Sequence, residues 1–239
     1  MSDIPLSLQG LLGVAMDKTQ PQVETILATL KPDIVFFDFA TWLPAITRPL
    51  GAKSICFSVI NAATYALFLV PARKMAPDMN LEEPLQPPPG YPSSNVVIRA
   101  KDAPYIAPAN SVSPILSIFK RVTGCFQECD AIAFRSYQEK ERVYFDYVSQ
   151  QYSKPVLLKR HLLPKTSASQ LEEKYDKWLN KFKPGSIVYC AFGSQITLDL
   201  KQLQELVLGF ELRGLPFLVA LKPPEGFSTI EEALPEGFE

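Results

Sequence analysis

Short unbroken apolar runs alternate along this chain with longer segments that repeat every three to four positions. The runs are Asp33-Ile-Val-Phe-Phe-Asp38, Ser54-Ile-Cys-Phe-Ser-Val59, Asp130 to Phe134, Lys154 to Leu158, Ile187 to Phe192 and Pro216 to Ala220. Each is too short for a helix, rich in β-branched and aromatic residues, and read as a buried parallel strand. Helical spacing is expected over Asp17 to Leu30, Leu43 to Leu50, Asn61 to Val70, Ser113 to Glu128, Glu139 to Gln150, Leu171 to Phe182 and Lys201 to Arg213. In the first of these, Thr19 is a candidate N-cap and Pro21 falls in the first turn, with Val23, Ile26, Leu27 and Leu30 on one face. Residues 1–16 are weakly patterned. Strand–helix alternation with apolar strands predicts an α/β fold with a parallel, doubly wound sheet.

Between these segments lies a proline-rich excursion over residues 71–95, including Gln86-Pro-Pro-Pro-Gly90-Tyr-Pro92. It is too apolar for a flexible linker, so it reads as a loop packed on the domain surface, ahead of a polyproline ligand for a partner. Val96 to Arg99 is expected to be a short extended piece. His161 to Ser169 reads as a connection, and Lys222 to Glu239 as an acidic tail.

The stretch Lys183-Pro-Gly-Ser-Ile-Val-Tyr-Cys-Ala-Phe-Gly-Ser-Gln195 has the build of turn, strand, small-residue turn and helix. Ligands bind open α/β sheets at the carboxyl ends of their strands. Gly193 there would allow close approach of the backbone, and the Ser194 hydroxyl with nearby amides could hold an anion such as a phosphate. An ordinary strand-to-helix turn has the same local sequence, and both readings stand at this level. Two strands and two helices at this end bury too little apolar surface to be stable alone. The strand at Ile34 to Phe37 likewise has little before it to cover its flank.

Composition narrows the function classes. The chain has 239 residues, 47% hydrophobic and 21% charged, with a net charge of −1. That balance, without a basic stripe, speaks against nucleic acid as a partner. No apolar run reaches membrane-spanning length, and Met1-Ser-Asp-Ile-Pro5 lacks the character of a signal peptide. Cys56, Cys125, Cys129 and Cys190 sit in apolar or helical surroundings, and one histidine accompanies them. Buried free thiols in the reducing cytoplasm fit this better than a zinc site.

Several segments together resemble plant family 1 UDP-sugar-dependent glycosyltransferases, closest to the branch that adds sugars to flavonoid or anthocyanin glycosides. They are Lys31-Pro-Asp-Ile-Val-Phe-Phe-Asp-Phe-Ala40 with Trp42 and Pro44, Arg135-Ser-Tyr-Gln-Glu139, and Lys154-Pro-Val-Leu-Leu158. Leu171-Glu-Glu-Lys174 with Trp178-Leu179, Pro184 to Gln195, and Leu234-Pro-Glu-Gly-Phe238 complete the set. The resemblance implies a partial GT-B fold, with Rossmann-like parallel sheets and flanking helices. It divides the chain into an incomplete acceptor-binding domain at 1–160, an interdomain linker and helix at 161–183, and the start of the UDP-sugar-binding domain at 184–239. The implied parent activity is inverting transfer of a sugar from a UDP-sugar to a small phenolic acceptor. UDP-sugar is the co-substrate, and no metal or other cofactor is implied.

The resemblance also implies roles for particular residues. Asp38 takes the place of the family aspartate that orients a histidine general base and stabilises its charged form. Gly193 and Ser194 take the place of the residues that contact the donor phosphates. From the residues alone, Asp38 equally reads as the cap of the following turn, and Phe39 and Trp42 read as acceptor-pocket lining or as core. Tyr137 and Glu139 read as structural. The family histidine lies well before its aspartate, and no histidine precedes Asp38 here. His161 stands in the connecting segment and reads as a solvated linker residue. The donor signature that should follow Phe238 is also missing. The expectation is therefore a chain truncated at both ends and inactive alone. The alternative is a non-catalytic product that pairs with an intact relative through its open sheet edge or binds an aglycone without reacting; the open edges also suit self-association.

Overall fold

The computed structural model describes residues 10–77, 79–80, 82–102, 114–159, 171–193 and 196–238. They fall into two compact units, one within residues 5–163 and one within residues 164–239. Each is an α/β unit built on a parallel sheet.

The larger unit runs α1 (Gly10–Asp17), α2 (Gln20–Leu30), β1 (Ile34–Phe37), α3 (Leu43–Thr47), β2 (Lys53–Ser58), α4 (Ala62–Phe68), α5 (Pro114–Glu128), β3 (Ala131–Arg135), α6 (Gln138–Tyr152) and β4 (Val156–Lys159). Where one helix is expected from Asp17 to Leu30, there are two. The Thr19 hydroxyl donates to the Met16 carbonyl at 2.6 Å, so it closes α1 instead of capping α2. Lys31 enters the left-handed region (φ 45°) ahead of Pro32 and ends α2. On α2, Leu27 is buried and Val23 packs on the core, but Ile26 and Leu30 face solvent. Val96 to Arg99 forms no strand.

The strand order is β1-β2-β3-β4, all parallel, with Phe36 opposite Ile55, Cys56 opposite Ile132 and Phe134 opposite Leu158. The order never reverses. The expected double winding is therefore not found among the described strands. Right-handed crossovers between sequential neighbours put their helices on one face. The packing agrees. Phe37, Cys56, Ile132 and Phe134 share one core with Leu43 and Ile46 of α3, Tyr65 of α4, Phe126 of α5 and Val148 of α6. The alternate positions Ile55, Ala131 and Ala133 form a separate small cluster on the opposite face. On that face Ile34 and Phe36 of the edge strand are 51% and 61% exposed.

The proline-rich excursion packs on the larger unit, as its apolar character predicts. Tyr147 of α6 donates to the Pro89 carbonyl at 2.8 Å, and the ring of Tyr91 sits against Tyr144 and Tyr147. Arg73, itself buried, donates to the Leu67 carbonyl from Nε and Nη2 (2.9 and 2.6 Å) and to the Gln86 carbonyl from Nη1 (2.6 Å). A planar fork of donors suits such a task, because one side chain ties the end of α4 to the middle of the excursion.

The smaller unit contains α7 (Glu173–Leu179), β5 (Val188–Ala191), α8 (Leu200–Arg213) and β6 (Phe217–Ala220). Its sheet has the two strands anticipated from the sequence, paired in parallel from Val188–Phe217 to Ala191–Ala220. Leu203 and Val207 of α8 are buried, and Phe210 stacks on Phe217 at 5.0 Å. The acidic tail is not loose. Its Ala233 is buried and accepts from Gln204 Nε2 at 3.3 Å, and Phe238 approaches Phe217 at 6.3 Å.

Candidate functional site

Asp38 follows the last residue of β1, at the carboxyl end of the outermost described strand of the larger sheet. The backbone turns there at once. Phe39 is left-handed (φ 58°), a conformation that costs energy for a bulky side chain. The Ala40 amide closes on the Asp38 carbonyl at 2.8 Å, and the Thr41 amide on the Phe39 carbonyl at 3.1 Å. Helix α3 starts later, with Trp42 as its N-cap and no side-chain cap bond. Asp38 is thus not the cap of this helix. Its carboxyl group lies at the surface but is crowded by protein on one side. That burial pushes its pKa above the ordinary aspartate value, against a smaller lowering by the Phe39 amide. Cys56 of β2 and Tyr65 of α4 are the titratable groups whose charge states it influences. A carboxylate held at a strand end and not consumed by a cap is suited to accept a hydrogen bond from a bound group or a neighbouring base.

Beneath the Asp38 turn sits a polar cluster that draws on three distant segments. Arg121 of α5 makes a bidentate pair with Asp17 at the end of α1, Nη1 to Oδ1 at 2.9 Å and Nη2 to Oδ2 at 2.6 Å. The same Nη1 donates to the Phe39 carbonyl at 3.0 Å. Trp42 Nε1 donates to Asp17 Oδ1 at 3.1 Å. The Arg121 guanidinium beside Asp17 holds that carboxyl below the usual range. Trp42 and Phe39 are half-buried and pack against the main core, which makes them wall and support for the turn. Nothing local in the sequence signals the Asp17–Arg121 pair, whose members are 104 positions apart.

In the smaller unit, Gly193 follows β5 in the left-handed region (φ 75°), which explains a glycine at this turn. A Cβ placed there would meet no atom within 4 Å, so the space above this backbone is open. Ser194 and Gln195 lie outside the described residues, as does His161. Helix α8 begins beyond them with a capping box. Asp199 accepts from the Gln202 amide at 2.8 Å, and Gln202 Oε1 accepts from the Asp199 amide at 3.2 Å. An Asp followed three residues later by Gln, before apolar Leu203, is a legible start signal for this helix. Asp38 and Gly193 belong to different units.

Two further features bear on function. Cys56, Cys125 and Cys129 are buried free thiols. The sulfur of Cys125 and burial together keep Cys56 protonated, and burial pushes Cys129 up to about 11. They are inert core residues. A cavity of about 150 Å³ lies between α6 and β4, lined by Gln138, Arg142, Phe145, Asp146, Ser149, Val156 and Leu158. It is well below the roughly 300–1,000 Å³ of a cofactor or drug-sized pocket. Neither Asp38 nor Gly193 lines it.

No protein-family model matches the chain. Among curated proteins, it is 48% identical over 245 residues to an anthocyanidin 3-O-glucoside 2'''-O-xylosyltransferase of Arabidopsis thaliana, covering 99% of this chain and 52% of that protein. It is 43% identical over 242 residues to a cyanidin 3-O-galactoside 2''-O-xylosyltransferase of Actinidia chinensis var. chinensis, covering 100% and 53%. Among solved structures, Medicago truncatula UGT71G1 complexed with UDP-glucose matches with a TM-score of 0.70 at 17% identity, over 98% of this chain and 53% of that one. A Siraitia grosvenorii ugt transferase in complex with UDP matches with a TM-score of 0.69 at 19% identity, over 95% and 56%. These likenesses confirm the GT-B type of α/β fold. The chain spans about half the length of the curated relatives it matches, and along its whole length it is a close homologue of plant UDP-glycosyltransferases.

Proposed function

We propose that this chain carries part of the machinery for inverting transfer of a sugar from a UDP-sugar to a flavonoid or anthocyanin glycoside. The observation that carries this reading is Asp38, a carboxylate at the carboxyl end of β1 that is not spent on a helix cap. Its family counterpart orients the histidine that deprotonates the acceptor. Residues 1–160 form the acceptor-binding part, 161–183 the connection, and 184–239 the beginning of the UDP-sugar-binding part. Gly193, with its open space, and Ser194 receive the donor phosphates. The co-substrate is UDP-sugar without a metal. Among the described residues no helix is long and apolar enough to cross a membrane, and with its free buried thiols the chain suits the cytoplasm.

The 239 residues contain one histidine, His161, and none before Asp38. A base removed from such a site costs on the order of 10²–10⁴ in rate. The isolated chain is therefore expected to give no transfer from UDP-xylose or UDP-glucose to cyanidin 3-glucoside. Substituted for the matching half of the Arabidopsis xylosyltransferase, it should yield an active chimera that loses about 10²–10⁴ in kcat on Asp38→Asn. Turnover by the isolated chain would sink the claim of incompleteness. An active chimera indifferent to Asp38→Asn would sink the role of Asp38. A second reading, a non-catalytic partner that self-associates or pairs with an intact relative through the edge of β1, is favoured by the exposure of Ile34 and Phe36.

A further inference from the structure

We infer that Arg121 is a positioning residue for Asp38: it grips the Phe39 carbonyl and so fixes the left-handed turn from which the Asp38 carboxylate projects. This deepens the proposed role of Asp38 and rests on it. The argument begins with strain. Phe39 holds φ 58° with a bulky side chain, and such a residue persists only where its surroundings over-determine it. Three contacts do so. The Phe39 carbonyl accepts from Arg121 Nη1 at 3.0 Å and from the Thr41 amide at 3.1 Å, and its ring packs on the core.

Arg121 is itself aimed. Both of its terminal nitrogens are bound by Asp17, and Trp42 donates to the same carboxylate from the other side of the turn. The guanidinium is only partly accessible, with 21% of the side chain exposed. Helix α1 comes close because it carries a glycine. A Cβ on Gly13 would stand 3.3 Å from Arg121 Nη2, tighter than most real contacts. Along α5, Gly124 lies beside the turn, where a Cβ would make an ordinary contact with Thr41 Cγ2 at 3.7 Å. The arrangement puts a rigid fork between α1 and the Asp38 turn. Arginine fits this geometry because one planar group must serve two carboxylate oxygens and a carbonyl together.

Lysine would keep the charge and lose the fork. Arg121→Lys therefore separates placement from electrostatics, and the readout needs no sugar transfer. The carboxyl carbon of Asp38 is followed by NMR across pH in the intact 239-residue chain, its signal identified by its loss in Asp38→Asn. The titratable groups facing it are Cys56 and Tyr65, neither of which titrates near an aspartate. The expected result in Arg121→Lys is a weaker intraresidue amide–Hα contact at Phe39, as the left-handed state loses population. The Asp38 midpoint should fall towards the ordinary aspartate value, since protein crowding is the larger influence on it. Phe39→Gly in the Arg121→Lys background should restore at least half of that shift, because glycine enters the left-handed region without strain. An unchanged Asp38 midpoint and Phe39 geometry, with only a lowered melting temperature, would overturn the inference and leave Arg121 a structural ion pair. Because the measurement is made on Asp38 itself, it stands or falls separately from the chimera assay.

Discussion

Glu141 of α6 accepts the amides of Ala62 and Ala63 at 3.2 and 3.1 Å, joining α6 to the first turn of α4 across 79 positions of sequence. Its Oε2 also receives the Ser136 hydroxyl. The carboxylate is buried, and each contact answers a donor that would otherwise face the protein interior. Asn61 supplies the remaining cap through the Thr64 amide at 2.8 Å.

Removing Glu141 leaves two backbone donors and a hydroxyl without acceptors in a place that water reaches poorly. Glu141→Ala is expected to cost about 2–4 kcal/mol in urea unfolding of the larger unit. Glu141→Gln, which keeps the shape and one carbonyl oxygen, should cost less than half of that. Equal costs for the two variants would mean that packing, not hydrogen bonding, is the contribution of this side chain.

Much of the fold was legible in the sequence, and the parts that were not share a cause. All six apolar runs became strands within a residue or two of their expected ends, because short runs rich in β-branched and aromatic residues carry a clear composition. The expected burial holds for β2 and most of β3, whereas β1, β5 and β6 are largely half-buried or exposed, since no second described element covers their other face. Gly51 and Gly214 ended their helices in the left-handed region, as a glycine after an apolar-periodic segment predicts. What could not be read were contacts between distant residues. Helix α1 has little pattern of its own, and its end is tied by Asp17 to Arg121. Arg73 looks like a surface cation in a loop, yet it is buried against Leu67 and Gln86 carbonyls. The single direction of winding was hidden too, since strand order is set by tertiary packing and not by the pattern within any strand. Of the candidate site, Gly193 is legible from its strand–turn–helix context and again from the family resemblance, while the role of Asp38 comes from the resemblance. The grip on the Asp38 turn became visible only in three dimensions.

Asp38 should weaken the fold that displays it. Its pKa is raised in the folded state, so the unfolded chain binds fewer protons between the ordinary value of 3.8 and the raised one. Stability then falls as pH rises through that window, and the penalty persists at neutral pH. Asp38→Asn is expected to stabilise the fold slightly at pH 7, by about a few tenths of a kcal/mol with a small rise in melting temperature, since an exposed side chain is screened by solvent. The gain should vanish as pH falls well below the ordinary value of 3.8, where both states are protonated. A stabilisation of equal size at pH 3 and pH 7 would trace to something other than the charge.

Asp130 has the opposite sign. It accepts the Ser54 amide at 2.8 Å, the Ser54 hydroxyl at 3.0 Å and Lys53 Nζ at 3.1 Å, stitching the start of β2 to the start of β3. The Ser54 amide above all holds its pKa below 3.8. Its contribution is therefore complete above the unfolded value and is lost as pH falls through the lowered folded value. Asp130→Asn should cost about 1 kcal/mol at pH 7, discounted for the part-exposed carboxylate, and close to nothing near pH 2. Thermal melts of the two proteins across this range should converge on the acid side. Melts that stay parallel would show that the asparagine disturbs packing.

The edge of β1 sets the last prediction. An unpaired parallel strand presents its amides and carbonyls to solvent, and here it also exposes Ile34 and Phe36 on one face, with Leu30 exposed at the end of the preceding helix. Natural sheets blunt such edges with charge or cover them. Among the described strands β1 pairs only with β2, and its exposed positions carry no charge. The purified chain should therefore associate as its concentration rises, and sedimentation velocity would show species heavier than the 26.7 kDa monomer. Phe36→Lys places a strongly hydrated charge in the middle of that edge. Because Phe36 is already largely exposed, the substitution should alter folding stability by no more than about 0.5 kcal/mol while shifting the distribution towards monomer. A discrete dimer abolished by Phe36→Lys would favour specific pairing through β1, and a broad, register-free series of oligomers abolished by it would mark simple edge aggregation. Association that survives the lysine would place the contact elsewhere, with the exposed Leu212 of α8 the next position to change.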